Sequence, residues 1–269
     1  MPVNVFAYDS EERGELDMTD DDVWQAFNAI YKHFQNVEMI FQTKPLLAHY
    51  TSIQTVEKII KNEEICFSNP LFMNYTEELQ FGLHMGMRLF YQSKVVDEKI
   101  GNQAASYARQ KLIEFFNYYD KEHVLDVYVF CLSEHDQVDN DGKLSMWRAY
   151  GSSGNGAAIV FNTTSVYRWE VSPKIFAKVE YASTDERQAK LEQLIGQLCG
   201  IVAKNKIHDN GFWLDLATAQ LFDVFKMFAL TWKHKGFSEE KEWRVIYMPE
   251  RDKQGVLKIR SVTKLVTLV

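Results

Sequence analysis

The sequence predicts an α+β fold, in which clustered strands are interrupted by paired helices. Two observations point there. Short apolar, β-branched or alternating runs fall in groups near 46–50, 127–133, 156–161, 176–181 and 242–248, and longer stretches of helical periodicity come in pairs between them. That arrangement departs from the regular βαβα alternation of a doubly wound sheet.

Each element has its own signal. Thr19 precedes DDDVWQAFNAIYKHF with Asp22 three positions later, a capped helix with an acidic first turn and an apolar stripe of Val23, Phe27, Ile30, Tyr31 and Phe34. LLAHY reads as a strand, after which Thr51 or Ser52 caps a helix with Ile53, Val56, Ile59 and Ile60 at helical spacing. EICFS, residues 64–68, reads as a short strand stopped by Asn69 and Pro70. Asn74 with Glu77 starts a helix reaching Tyr91, and 96–119 reads as one more. VYVFCLS, residues 156–161 and 176–181 resume the sheet, 184–205 and 213–234 read as helices, and EWRVIYM, VLKIR and LVTLV close the chain as strands.

The chain has 269 residues, 46% of them hydrophobic and 25% charged, ordinary values for a globular domain that buries its own core. With five prolines and no linker, repeat or low-complexity tract, one domain over 1–269 is expected, with a helical extension at 1–40 and an α+β core at 45–269. Cys66, Cys131 and Cys199 form no CxxC or Cys/His cluster, which predicts a reducing, cytoplasmic setting. The acidic start lacks the pattern of a secretory signal, and no run of about 18 apolar residues predicts a membrane span. A net charge of -7 disfavours nucleic acid as a partner.

GxxxxGK[ST], HExxH, GxSxG and metal-spaced histidine pairs are all missing, so no metal is expected. GSSGNG, 151–156, opens into a strand where a dinucleotide fingerprint would open into a helix, and reads as an ordinary turn. Three segments carry more chemistry. In HYTS, His49, Tyr50 and Thr51 sit where a strand runs into a helix, suited to facing a ligand together with helix-terminal N–H groups; a core His or Tyr beside a Ser52 cap is the alternative. In LSMWRAYG, Trp147 and Tyr150 share one face of a short helix while Arg148 projects elsewhere, an arrangement that stacks a planar ring or simply fills core. In GFSEEKEWR, strand alternation points Glu240 and Glu242 one way and Lys241 and Trp243 the other. Paired carboxylates suit chemistry that develops positive charge at a sugar carbon; a solvated acidic hairpin edge is the alternative.

HYTSIQTVEKIIKNEEICFSN resembles the opening of the ADP-ribosyltransferase fold, with its His-x-Thr strand, and GFSEEKEWRVI resembles the Glu-x-Glu strand of its arginine-type members. HYTS, SNPLFMNYTEE, FCLSE, LSMWRAYGSSGNGAAIVF and GFSEEKEWR together are closer to a bacterial family of uncharacterised proteins, domain of unknown function twenty-nine seventy-one, from about residue 45 to 250. The resemblance implies a mixed, mostly antiparallel split sheet and an enzyme that transfers ADP-ribose from NAD or cleaves NAD, as a toxin or phage-defence effector. His49 would then hydrogen-bond the nicotinamide ribose, Thr51 assist, and Trp147 or Tyr150 stack on nicotinamide. Arg148 would pair with the pyrophosphate. Glu242 would stabilise the oxocarbenium-like state and Glu240 orient the acceptor. Tyr50 stands where the family has a small residue, and the serine-rich motif is reduced to Ser133. The partners implied are NAD, an acceptor of unspecified kind and a cognate inhibitor or defence partner. A non-catalytic nucleotide-sensing or protein-interaction module on the same fold is the rival reading, and a nuclease-like effector is disfavoured by the acidic balance.

Overall fold

Alternating apolar residues draw five strands of this chain into one antiparallel sheet, and that sheet positions every segment singled out above. The structure is a computed structural model describing residues 20–72, 76–123, 126–138, 141–151, 154–165 and 174–252. The Thr19 cap, the Asn74 helix start, Ser152 and Ser153 of GSSGNG, and the strand-like segments 256–260 and 265–269 lie outside the described residues.

In chain order the elements are α1 (Asp20–Tyr31), α2 (Val37–Thr43), β1 (Leu46–Ser52), α3 (Ile53–Asn62), α4 (Thr76–Gln92), α5 (Lys94–Ile100), α6 (Asn102–Tyr118), β2 (Tyr128–His135), α7 (Leu144–Tyr150), β3 (Gly156–Asn162), β4 (Lys174–Lys178), β5 (Glu180–Ala182), α8 (Thr184–Lys204), α9 (Gly211–Thr231), β6 (Trp232–His234) and β7 (Glu242–Tyr247). The main sheet runs β3-β1-β2-β7-β4, all pairs antiparallel, and a separate parallel pair joins β5 to β6. This is a mixed α+β architecture with a mostly antiparallel sheet.

Register divides the side chains between two faces. Ala48 pairs with Ser133 and Ser133 with Glu242, so these three form a row on one face, while Leu47, Leu132 and Trp243 point the other way. The first face carries Val129, Ile175, Ala177 and Ile246 into the large core built with the helices. At its centre α9 is apolar on nearly every side, and Trp213, Phe225 and Phe228 are at most 1% exposed. Close approach of α4 to α9 requires glycine: a Cβ on Gly86 would sit 2.6 Å from the Phe225 ring, and one on Gly82 2.7 Å from Ala229. The second face forms a smaller core of Leu47, Phe130, Leu132, Trp243 and Val245, closed by Ile40 of α2.

Caps fall where polar residues can satisfy helix-terminal N–H groups. The Ser52 hydroxyl accepts from the Thr55 N–H, and Ser183 forms a capping box with Glu186. Four expectations change. The helix expected over 96–119 breaks at Gly101, whose φ of 80° and ψ of 152° suit glycine alone. Residues 64–67 form no strand; only Ser68 bridges to Val129. The strand expected over 176–181 splits between two sheets, β4 and β5. The helix expected over 213–234 ends at Thr231, and the last three residues become β6. The short helix α2 carried no expectation. Among the described residues no helix is long and apolar enough to cross a membrane.

Candidate functional site

HYTS, FCLSE and EWR fall on three adjacent strands, β1, β2 and β7, and LSMWRAY forms α7 against β1. The segments therefore meet at one corner of the first sheet face, where α7 and the turn Lys235–Glu240 approach each other.

Tyr50 builds the α7 side. Alternation turns it onto that face, buried to 5%, with Ala48 and Met146, and Trp147, Tyr150 and Ala158 pack around them. Its hydroxyl accepts the Lys143 backbone N–H at 3.1 Å, and its ring meets Trp147 edge-on at 4.8 Å. Trp147 is fixed from its other end by donating Nε1–H to the Asp141 carbonyl at 2.7 Å. Trp147 and Tyr150 share a half-buried face, and Arg148 is exposed, as helical spacing predicts.

Lys143 and Ser133 tie this wall to the acidic turn. The fully buried Ser133 hydroxyl donates to the Glu240 carbonyl at 2.5 Å and accepts from Lys143 Nζ at 2.9 Å; Nζ also reaches the Glu240 carbonyl at 3.1 Å. Burial brings the Lys143 amine down to about 8, with the Lys241 charge adding to the effect and Glu134 and Glu240 opposing it.

Behind this lies a closed ion cluster. Lys233, completely buried on β6, donates to Glu240 Oε2 at 2.5 Å and to Glu242 Oε2 at 3.1 Å. Arg244 grips Glu242 through Nε at 2.9 Å and Nη2 at 3.2 Å, and Nη1 donates to the Leu230 carbonyl. Tyr181 accepts the Glu242 backbone N–H at 2.8 Å, and burial pushes its phenol above the usual range. Burial alone would raise the Glu242 carboxyl; the Arg244 and Lys233 charges outweigh it and hold the group well below the usual carboxylate range. For Glu240 burial prevails over Lys233 and raises the carboxyl. Two carboxylates against an ammonium and a guanidinium leave the cluster with no net charge.

Glu240 and Glu242 do converge, but not as residues of one strand. β7 begins at Glu242; Lys241 has φ of 42°, in the left-handed region, and Glu240 belongs to the preceding turn. Lys233 pulls the two carboxylates together across that bend. The Glu242 residue is 2% exposed, so the expectation of a free acidic strand face gives way to a sealed cluster.

His49 lies elsewhere. It follows Ala48, and strand alternation sends it to the opposite face of the sheet from Glu242, with β2 between their strands at a separation of about 10 Å. There Nδ1 donates to the Cys131 carbonyl at 2.9 Å and the ring packs on Phe130 at 4.4 Å, while burial lowers its basicity against the opposing pull of that bond. Thr51 shares His49's side of β1 by the same alternation. The structure thus gathers Tyr50, Ser133, Trp147, Tyr150, Glu240 and Glu242 and excludes His49 and Thr51. A single ribose shared by His49 and Glu242 is not met by this geometry.

Two residues at the corner escaped sequence reasoning. Lys143 is a lone lysine in a loop, with no spacing to mark it. Lys233 read as the end of a helix, although its place in TWKHKG, shortly before two glutamates, is a charge-complementary signal.

Residues 146–245 match a family described as Protein of unknown function (DUF2971). The matched stretch covers less than half of the chain; it includes α7 from Met146 onward, Lys233, Glu240, Glu242 and Arg244, and omits β1 and β2 with His49 and Ser133. No curated protein and no solved structure matches the chain.

Proposed function

We propose that the corner between α7 and the turn Lys235–Glu240 is a nucleotide-binding site, with NAD as the first ligand to test, and that it binds without turnover. The observation that carries this is convergence: segments nearly 200 residues apart in sequence, HYTS, FCLSE, LSMWRAY and SEEKE, form one hydrogen-bonded corner through Tyr50, Ser133, Lys143, Trp147 and Glu240. A half-buried indole held by two partners offers a stacking surface with little rotamer freedom to lose, and Arg148 beside it is an exposed bidentate donor for phosphate. Absence of turnover follows from electrostatics. A carboxylate saturated by Lys233 and Arg244 inside a neutral cluster projects little field onto a developing positive charge, and it has no exposed oxygen to offer a ribose.

Calorimetry with NAD tests the binding. A saturable heat is expected, with affinity falling about tenfold in Trp147→Ala, since stacking on one aromatic ring is worth about 1–3 kcal/mol. No binding by the wild-type protein overturns the reading.

ADP-ribosyl transfer or NAD cleavage is the second reading, favoured by the order β1-β2-β7, which sets the three segments resembling that fold side by side, and by a Glu242 carboxyl held ionised. It requires Lys233 to leave Glu242 when substrate binds. Nicotinamide release that disappears in Glu242→Gln would establish it over simple binding; an effector role in defence, with its acceptor and cognate inhibitor, belongs to this reading.

A further inference from the structure

Lys143 is a lysine held in an unusual way. Its Nζ has two hydrogen-bond partners, both uncharged: the Ser133 hydroxyl oxygen and the Glu240 backbone carbonyl. The direction of these bonds is forced. Ser133 spends its only proton on the Glu240 carbonyl, so its oxygen faces Lys143 as an acceptor, and a carbonyl can only accept. Lys143 must therefore donate twice. Among the described residues no carboxylate lies within hydrogen-bonding distance of Nζ, although Glu240 and Glu242 stand close by, because Lys233 holds both of their side chains. A neutral amine fits this cradle: two N–H groups satisfy the two acceptors and the lone pair remains. The residue is only half-buried.

We propose that Lys143 is a reactive amine that condenses reversibly with the carbonyl of an aldehyde ligand bound at this corner. The nitrogen lone pair forms the C–N bond while the carbonyl π pair moves to oxygen, which takes a proton. The nitrogen then loses its hydrogens, one to solvent at each stage, as the hydroxyl leaves protonated as water. The product is an imine, and hydrolysis restores amine and aldehyde. No oxidant, reductant or metal enters, and nucleotide binding is not required.

The electrostatic setting agrees. The charged groups facing the amine are Glu134 from β2, Lys178 from β4, and Glu240 and Lys241 from the acidic turn; burial dominates them and brings the amine to about 8. At pH 7 about 9% of such an amine is neutral, against about 0.03% at the reference value of 10.5. Even after partial shielding by its cradle, Lys143 should outpace exposed lysines.

The test is reductive alkylation of the wild-type protein at pH 7 with limiting propanal and cyanoborohydride, read by peptide mass mapping. Lys143 should be modified at least about tenfold faster than the exposed Lys58 and Lys61, with a rate that levels off above pH 8. Equal or slower modification of Lys143, or a Lys143 rate still rising above pH 9, overturns the proposal. Lys143→Arg should leave the Lys58 and Lys61 rates unchanged while removing the fast phase; a fast phase that survives this substitution also overturns it. Repeating the reaction with saturating NAD separates the two readings of this corner: selective labelling that NAD does not slow retains the reactive amine and removes nucleotide binding.

Discussion

Substituting Lys233 with Met removes a completely buried ammonium that bridges Glu240 at 2.5 Å and Glu242 at 3.1 Å. Glu242 keeps its two contacts to Arg244, but Glu240 loses the cation that offsets its burial, and the cluster passes from neutral to a net negative charge. Breaking a buried ion pair from one side costs about 3–5 kcal/mol, whereas a surface pair would cost under about 1 kcal/mol. For a domain of this size the larger figure lowers Tm by about 6–20 °C. Urea and thermal unfolding at pH 8 measure it. A second signature distinguishes this from a packing defect. Freed of Lys233, Glu240 should escape the penalty by taking up a proton, so the loss should shrink between pH 8 and pH 5, and Glu240→Gln in the same background should recover a good part of it. A loss under about 1 kcal/mol, or an equal loss at both pH values with no recovery by Glu240→Gln, refutes a buried charge cluster.

Three further outcomes follow. Lys143 has a folded-state value near 8 and an unfolded one near 10.5, so the folded state binds fewer protons between them and stability gains as pH rises through that window; Lys143→Met should remove this gain, read as the difference between variant and wild-type denaturation curves at pH 7 and 10. His49, lowered from 6.5, contributes stability that is full above that pH and is lost as pH falls through its folded value; His49→Phe should flatten the acid limb of stability while changing NAD affinity less than about twofold, because the ring faces away from the corner. Gly86→Ala forces a methyl to within 2.6 Å of the Phe225 ring and should cost about 1–3 kcal/mol in chemical denaturation.

Local chemistry made much of the fold legible. Ser52 announced its helix because a hydroxyl that accepts an N–H at a helix start acts within three residues, and β1, β2 and β7 were visible as short apolar runs. The failures share a cause. Gly101 breaks a helix that periodicity runs straight through, and Trp232 to His234 continue the apolar pattern of α9 while pairing as a strand with β5. The pairing partner, fifty residues away, decides that, and periodicity does not register it.

The site divides along the same line. Sequence alone determined which segments carry polar and aromatic residues at element ends, that Trp147 and Tyr150 share a helical face, and that Glu240 and Glu242 lie close. Tertiary structure decided what they face. One-residue alternation in β1 put His49 and Tyr50 on opposite sides of the sheet, and the β1-β2-β7 register then assigned Tyr50, not His49, to the side of Glu242. Lys233 and Arg244 closed the acidic pair from within, and Lys143, just before α7, reached Ser133 on the central strand β2. Whether a carboxylate is a catalytic surface or a sealed ion pair depends on which cations the fold brings to it, and that is set by long-range strand order rather than by any spacing along the chain.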